Sequence, residues 1–253
     1  VDLAGGVRTL ASSFPTNYFV EFTNVISNGG LIKTGAGLLR LTGANTYAGG
    51  TTVTAGTLEL TTATPNSATG TGPVVIKSGS TVKALANMAG DVTAEGGGTI
   101  TLLNGLGSTQ ISTGNFSMSP ASNLNLECGA PGNCDHIQVT GAVVLGGTLT
   151  VTPLGGFIAG DYELITYTST PDPDASAMQV VLPGYVSTLS VDTTNKRVML
   201  NVADAAGATF VWDKGGADNN WSTAGNWNPD GAPTSSNAIT LRFRALKDQL
   251  GYK

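Results

Sequence analysis

The stretch that decides the fold is Gly30–Leu60, which reads GLIKTGAGLLRLTGANTYAGGTTVTAGTLEL. Its short runs alternate apolar side chains with Thr, Lys or Arg, as in Leu39–Thr42, and each run is stopped by Gly or Asn. Period-two alternation places every second side chain on one face of a β-strand. Gly and Asn supply the positive-φ corners at which a chain turns sharply and starts again. A chain that repeats short strands and tight corners coils into stacked turns, so the pattern predicts a β-solenoid.

From Gly29 onward, the same stretch closely resembles the passenger-associated transport repeat of bacterial autotransporters. This resemblance implies a secreted, right-handed parallel β-helix passenger, in which the repeat aids folding or export. A second block, residues 123–202, resembles the closing turns of passenger modules. The motifs that carry this resemblance are Asp135–Gly141, Gly146–Leu149 and Gly160–Ile165. Together the two resemblances place the repeat in the middle of one module.

The composition is typical of an extracellular β-protein. Of the 253 residues, 40% are hydrophobic and 11% are charged, whereas about 25% are charged in ordinary soluble domains. The net charge is −5, and no basic stripe with interleaved aromatic residues is present, which argues against a nucleic-acid partner. No apolar run approaches the ~18 residues that a membrane-spanning helix needs. The start at Val1, without a signal peptide, predicts a processed form or a fragment.

We predict an all-β chain in two parts. Residues 1–202 form the solenoid, and the similar words GTLEL, GGTIT and GGTLTV indicate turns of irregular length. The segment Asp192–Lys196, DTTNK, lies between two alternating runs and predicts a small antiparallel hairpin that caps the solenoid. Residues 203–253 form a linker and a Trp-rich segment that starts a following module or caps the first one.

The Trp-rich segment contains Trp212, Trp221 and Trp227 and resembles the opening of a further module in giant repetitive bacterial surface proteins. Two interpretations of these residues stay open. The indole rings form an interaction surface that stacks on sugars, or they form a small core that covers the solenoid end. We favour the second interpretation, because an open solenoid end exposes unpaired strand edges.

Other side chains of the repeat and of the tail carry no predicted chemistry. Lys33 and Arg40 are expected to face solvent, and Tyr47 is expected to pack at a corner. The charged tail differs from the rest in its periodicity. A short C-terminal helix is predicted there from Phe243, Leu246 and Leu250, with Gly251 as its stop.

The two cysteines, Cys128 and Cys134, flank the turn sequence Gly-Ala-Pro-Gly-Asn. In a secreted protein, this spacing favours a local disulfide. The alternative is a metal pair completed by His136, with Asp135 as the nearest further ligand. We favour the disulfide because the cysteines do not form a CxxC pattern.

The sequence offers little for an enzyme. Asp172 and Asp174, in TPDPDAS, are the nearest carboxylate pair, and their neighbours predict a solvated loop with nothing to tune their pKa values. His136 is the single histidine, and no GxSxG motif accompanies it. We therefore expect neither an enzyme nor a cofactor.

The sequence evidence for an ion site or a phosphate site is equally weak. The oxygens of Asp213, Asp218 and Asn219 could hold calcium, but their spacing matches no calcium-loop pattern, so a hydrated loop is preferred. The segment Gly96–Gly98 is not a phosphate loop, because neither a helix nor a lysine follows it.

These observations favour a structural role at the bacterial cell surface. The expected protein is a stiff stalk or fibre segment, in which copies add end to end through β-edges to form a homo-oligomer or filament. The alternative is an adhesin module that binds a surface glycan or another host molecule through its Trp-rich end. An enzyme on the same scaffold is the least favoured hypothesis.

Overall fold

The structure, a computed structural model, describes residues 1–15, 18–61, 67–204, 209–212, 220–228 and 240–243. Nearly all regular structure in these residues is β, apart from two short 3₁₀ turns at Ala175–Ala177 and Ala224–Asn226. The strands are β1 (Val7–Ala11), β2 (Phe19–Phe22), β3 (Gly30–Thr34), β4 (Leu38–Leu41), β5 (Thr51–Val53), β6 (Gly56–Leu60), β7 (Val74–Ile76), β8 (Ser80–Ala84), β9 (Val92–Ala94), β10 (Thr99–Thr101), β11 (Gln110–Thr113), β12 (Phe116–Met118), β13 (Asn123–Cys128), β14 (His136–Val139), β15 (Val143–Val144), β16 (Gly147–Pro153), β17 (Gly160–Thr166), β18 (Met178–Val181), β19 (Tyr185–Asp192), β20 (Arg197–Asp204), β21 (Thr209–Trp212), β22 (Trp227–Asn228) and β23 (Thr240–Phe243).

Two parallel sheets run along the solenoid. One has seven strands in the order β1-β3-β5-β7-β9-β12-β15, and the other has eight in the order β18-β16-β13-β10-β8-β6-β4-β2. Leu38 pairs with Thr57, and Thr57 pairs with Thr81, so these two turns advance by 19 and 24 residues. The chain thus forms a parallel β-helix, which confirms the predicted fold class, and its unequal turns agree with the irregular spacing of the strand words.

A third sheet covers the later turns. Its order is β11-β14-β17-β20-β19, with parallel pairing from β11 to β17 and antiparallel pairing among β17, β20 and β19. Strands β19 and β20 form the predicted hairpin, whose register runs from Tyr185 opposite Asp204 to Asp192 opposite Arg197. This hairpin extends the third sheet beyond β17, so the predicted antiparallel hairpin is present, whereas its capping role stays a prediction because β15 and β18 are edge strands of the two long sheets.

A continuous row of aliphatic side chains fills the interior. Leu39 lies in register with Leu58, and Leu58 lies in register with Val82. The same row continues through Ile100, Leu124 and Leu149, and all six side chains are buried. Burying an aliphatic side chain of this size contributes about 1.5–3 kcal/mol, so each turn stabilises its neighbours through this row.

Glycine is required at some corners because the backbone passes very close by. Gly56, which opens the GTLEL word, has a φ of +65°. A Cβ atom at that position would lie 2.5 Å from the carbonyl oxygen of Gly35 in the preceding turn. The positive φ and this close approach explain why the strand word starts with glycine.

Lys33 is buried, which contradicts the expectation that it faces solvent. It shares the inward parity of Leu31 in β3, and its relative exposure is 1%. Its ammonium group donates hydrogen bonds to the carbonyl oxygens of Thr34 at 2.9 Å, Gly35 at 2.7 Å and Ala55 at 3.0 Å. Burial lowers the pKa of Lys33. The strand parity therefore overrides the polarity of the residue, because corner carbonyls satisfy the buried amine.

Arg40 and Tyr47 lie where the repeat pattern places them. Arg40 is half-buried on the outer face of β4, with its Nε 2.8 Å from Oε1 of Glu59 and its guanidinium 4.1 Å from the Phe19 ring centroid. Tyr47 is buried at a corner and shares a 2.6 Å hydrogen bond with the Thr51 hydroxyl. Its burial raises the pKa of Tyr47 to about 12.

The Trp-rich segment contains a small separate sheet. Strand β21 pairs antiparallel with β22 and parallel with β23. Phe243, the first residue of the predicted C-terminal helix, ends strand β23, while Leu246, Leu250 and Gly251 lie outside the described residues. The division of the chain after residue 202 stays a prediction.

Candidate functional site

The structure joins Cys128 and Cys134 by a disulfide. Between them, the Gly129 N–H donates to the Asn133 carbonyl at 2.7 Å, and the Asn133 N–H donates to the Ala130 carbonyl at 2.8 Å. The segment is therefore a closed loop between β13 and β14. In the part of the chain that the structure describes, no group of three or more His, Cys, Asp or Glu side chains is placed to hold a metal ion.

Asp135, considered above as a metal ligand, is a buried bridge between turns. Its Oδ1 accepts from the Thr109 N–H and its Oδ2 from the Glu127 N–H, both at 2.8 Å. Burial raises the pKa of Asp135, although these hydrogen bonds act in the opposite direction. Both carboxylate oxygens thus satisfy backbone groups, which is a structural role.

Glu127, whose N–H donates to Asp135, also accepts hydrogen bonds from backbone N–H groups of a neighbouring loop. Its Oε2 accepts from the backbone N–H groups of Asn104 at 2.9 Å and Gly105 at 2.7 Å. The loop after β10 is therefore tied to β13. Neither acid of this pair has the geometry of a catalytic carboxylate.

His136 lies beside an ion pair on the outer face of the third sheet. Its Nε2 is 3.4 Å from Oε1 of Glu163, and Oε2 of Glu163 accepts from Nη1 of Arg197 at 3.0 Å. Burial lowers the pKa of His136, and the Glu163 carboxylate opposes that shift. No cysteine thiol is free in the described chain, and Nε2 of His136 has no hydrogen-bond partner there, so the described residues place no Ser or Cys nucleophile on this imidazole.

A polar cleft lies over β11, β14 and β17, next to His136. It consists of two adjoining hollows of about 370 and 270 Å³, which share Gln110 and His136. The other lining residues are Asn87, Ile111, Ser112, Gln138 and Thr166 in the larger hollow, and Gly132, Cys134 and Glu163 in the smaller one. Strand register places Ser112 beside Gln138, and Gln138 beside Thr166.

This cleft is the feature that sequence reasoning missed. Its two glutamines, Gln110 and Gln138, belong to successive turns. They come close because β11 and β14 pair with Gln110 opposite His136, which lies 26 residues later in the sequence. The available signal was the alternation of polar and apolar residues in QIST (110–113) and HIQV (136–139), which gives both segments a polar outer face.

Asp172 and Asp174 do not act as a pair. Asp172 accepts hydrogen bonds from the Lys196 amine at 2.7 Å and from the Tyr167 hydroxyl at 2.6 Å, and these bonds lower the pKa of Asp172. Asp174 caps the 3₁₀ turn by accepting from the Ser176 N–H at 2.9 Å. The expectation that nothing near these acids tunes their pKa values is therefore wrong, but both act as structural groups.

The three tryptophans pack against one another. Ring centroids are separated by 5.1 Å for Trp212 and Trp227, 5.6 Å for Trp221 and Trp227, and 5.9 Å for Trp212 and Trp221. Trp227 is buried, and its indole N–H donates to the Trp221 carbonyl, whereas Trp221 itself is 58% exposed. The calcium candidates Asp213, Asp218 and Asn219 lie outside the described residues.

Comparisons with known proteins identify the repeat and a relative. The family model of the passenger-associated-transport-repeat matches residues 31–60, which span strands β3 to β6. The adhesin BmaC autotransporter of Brucella suis biovar 1 (strain 1330) is 32% identical over 221 residues, which is 78% of this chain. This chain spans only 6% of the length of that relative. Within the described residues, no helix is long and apolar enough to cross a membrane. The ordered repeat, the parallel β-helix and this relative together identify the chain as an autotransporter passenger segment, which lies outside the bacterial cell.

Proposed function

We propose that this segment is a stiff, non-enzymatic spacer within a surface adhesin and that it holds adhesive surfaces away from the cell. The observation that carries the proposal is the unbroken aliphatic row from Leu39 to Leu149, which couples every turn to the next. The printed name of the relative, an adhesin, supports the adhesive setting. This chain covers only 6% of that relative, so an adhesive activity of the whole protein is part of what we propose.

The stiffness follows from the geometry of the parallel sheets. Neighbouring strands are about 4.8 Å apart, and the hydrogen bonds of both long sheets run along the solenoid axis. Bending would stretch those bonds and open the packed interior at the same time. A seven-stranded sheet of this kind gives a rod about 30 Å long.

Small-angle X-ray scattering tests the rod directly. We expect a pair-distance distribution that is the same at low and high salt, because a single rigid body does not change shape with ionic strength. Leu58→Asp places a charge in the aliphatic row and should destroy the rod, whereas Thr57→Asp, at the outward position before it, should leave the distribution unchanged. A pair-distance distribution that broadens or shifts with salt, as a hinged chain gives, would contradict the spacer role.

End-to-end association extends this proposal. Strands β1 and β2 each pair with one neighbour only, and Val7, Phe14, Tyr18 and Phe19 are exposed near them. Unpaired edges with apolar side chains favour addition of further strands. We propose that copies associate in pairs through these N-terminal edges, because an edge that pairs with the same edge of a second copy closes a dimer.

Light scattering across a concentration series checks this association. Val7→Lys adds a charge at the exposed β1 edge and should shift the equilibrium towards monomers. Val186→Lys is the matched control, because Val186 is equally exposed, at 55% against 57% for Val7, but belongs to the β19–β20 hairpin. A parent chain that stays monomeric at all concentrations would exclude this association.

The second candidate is glycan binding through the Trp-rich region. The exposed ring of Trp221 favours it, since an accessible indole offers a stacking face. The mutual packing of the three rings supports a core role instead. Binding that is lost in Trp221→Ala, while the fold is retained, would favour the glycan platform.

A further inference from the structure

The polar cleft over β11, β14 and β17 has the size of a small-ligand site. Its larger hollow, of about 370 Å³, falls in the range of about 300–1,000 Å³ that such sites occupy. The smaller hollow, of about 270 Å³, continues it past His136 towards the disulfide loop at Gly132 and Cys134. The two hollows form one groove across three strands of the third sheet.

The groove presents polar groups that have no partner inside the described chain. The side-chain amides of Gln110 and Gln138 are exposed and make no hydrogen bond there. The hydroxyls of Ser112 and Thr166 likewise have no partner among the described residues. Asn87 accepts from the Ser112 N–H at 2.8 Å through its Oδ1, which fixes the amide and leaves its NH₂ group available. These groups can both donate and accept hydrogen bonds.

The strands hold these groups in a fixed array. Ser112, Gln138 and Thr166 lie side by side on three parallel strands, about 4.8 Å apart. The buried residues Ile111 and Ile137 anchor β11 and β14 to the interior. Sites on paired strands are pre-organised, so a ligand would not have to order a loop.

The charged groups beside the groove are held in ion pairs. The Glu163 carboxylate is paired with Arg197 at 3.0 Å, and it is also 3.4 Å from His136. Arg197 is in turn paired with Asp192 at 2.9 Å. Because burial lowers the pKa of His136, its imidazole is neutral near pH 7. One guanidinium is therefore shared by two carboxylates beside a neutral imidazole, and the net negative charge of this cluster disfavours an anionic ligand.

We propose that this groove binds a neutral saccharide, whose hydroxyl groups hydrogen-bond to the amides of Gln110 and Gln138 and to the hydroxyl of Thr166. A peptide fits less well, because the lining is mainly polar and both β14 and β17 already have strand neighbours on each side. The edge strand β11 is partly occupied as well, since the backbone of Ser112 is hydrogen-bonded to Asn87 and Met88. The proposal does not depend on the spacer role, since it concerns the outer face of the sheet and not the rigidity of the rod.

The test uses the whole chain and defined saccharides. Cellobiose, maltose and N-acetyllactosamine serve as neutral probes, and a heparin-derived hexasaccharide serves as the anionic comparison, with binding followed by saturation-transfer NMR and titration. We expect one of the neutral probes to bind. The double variant Gln110→Ala/Gln138→Ala should weaken it at least about tenfold, because two amide contacts are lost.

Gln179→Ala is the matched control. Gln179 is also an exposed glutamine on a strand, but β18 belongs to another sheet, so this variant should bind like the parent. Circular dichroism and the scattering profile show whether each variant retains the rod, and backbone amide shifts of the parent chain locate the ligand without any substitution. Shifts confined to β11, β14 and β17 support the proposal. Absence of neutral-saccharide binding, preferential binding of the hexasaccharide, or shifts centred on Trp221 would overturn it while leaving the spacer role intact.

Discussion

The ammonium group of Lys33 donates a 3.0 Å hydrogen bond to the carbonyl oxygen of Ala55, and so joins two successive turns inside the transport repeat. The same group holds the carbonyls of Thr34 and Gly35 at the corner after β3. One buried amine thus fixes a corner and the turn that stacks on it.

Replacing Lys33 should therefore destabilise the repeat. Lys33→Met keeps the length and burial of the side chain but removes the ammonium donor from the carbonyls of Gly35 and Ala55, while that of Thr34 still accepts from the Ser12 N–H. This should lower the free energy of unfolding by about 1–3 kcal/mol. Chemical denaturation of the whole chain measures this loss. Lys77→Met is the control, since Lys77 is 43% exposed in its pair with Glu95, and it should change the free energy of unfolding by at most about 1 kcal/mol. Equal effects of the two variants would contradict this role of the buried amine.

The charged row on the outer face of the eight-stranded sheet should show measurable coupling. Arg40 Nε is 2.8 Å from Glu59, and Lys83 approaches the other oxygen of Glu59 at 3.5 Å. The Glu59 side chain is only 10% exposed, so water screens this pair less than an ordinary surface pair. A double-mutant cycle with Arg40→Gln and Glu59→Gln should give a coupling of about 1 kcal/mol.

The pair Lys77–Glu95 provides the comparison for that cycle. Its two side chains are 43% and 44% exposed, so its coupling should be about 0.3 kcal/mol and should disappear in high salt. The Arg40–Glu59 coupling should decrease less as salt rises. If both couplings vanish together, the partial burial of Glu59 has no energetic consequence.

Loss of the disulfide should weaken the chain without removing the β-helix. Cys128 and Cys134 are six positions apart, and closing so short a loop stabilises the folded state by about 2 kcal/mol in the chain-entropy model. Cys128→Ser/Cys134→Ser should lower the unfolding temperature, and a reducing agent should do the same to the parent chain alone. The carboxylate bridge of Asp135 still ties this region to β13, so the far-UV circular dichroism should be retained. A variant that loses its β signal would show that the disulfide is needed for folding.

The sequence allowed the architecture to be predicted more fully than the surfaces. Alternation and glycine corners predicted the stacked turns, and the segment Asp192–Lys196 predicted the hairpin, because both signals are local. Lys33 differs from its prediction because its inward position in β3 outweighs the polarity of its side chain. The cleft could not be predicted because it forms between turns of unequal length. Gln110 lies opposite His136 and Gln138 lies opposite Thr166, steps of 26 and 28 residues, and only the register reveals such neighbours.

The stability of the chain should fall in mildly acidic solution because of His136. Burial lowers its pKa in the folded state below the ordinary value of 6.5, so the unfolded chain binds the proton more readily. By linkage, this residue then costs stability as the pH falls through 6.5, and its effect levels off below its folded pKa. Above pH 6.5 both states are neutral and the effect is absent. Denaturant unfolding of the parent chain and of His136→Gln at pH 5 and pH 7.5 measures it.

Comparing the parent chain with His136→Gln separates the effect of His136 on stability from that of the carboxylates, which also titrate in acid. The parent should lose more stability than His136→Gln between pH 7.5 and pH 5. Glu163→Gln is the control. It removes the carboxylate that lies 3.4 Å from the imidazole and stabilises its charged form. Without that carboxylate the pKa of His136 in the folded state should fall further, so stability should depend more steeply on pH. A parent and a His136→Gln variant with parallel stability profiles would mean that the imidazole keeps its ordinary pKa in the folded state.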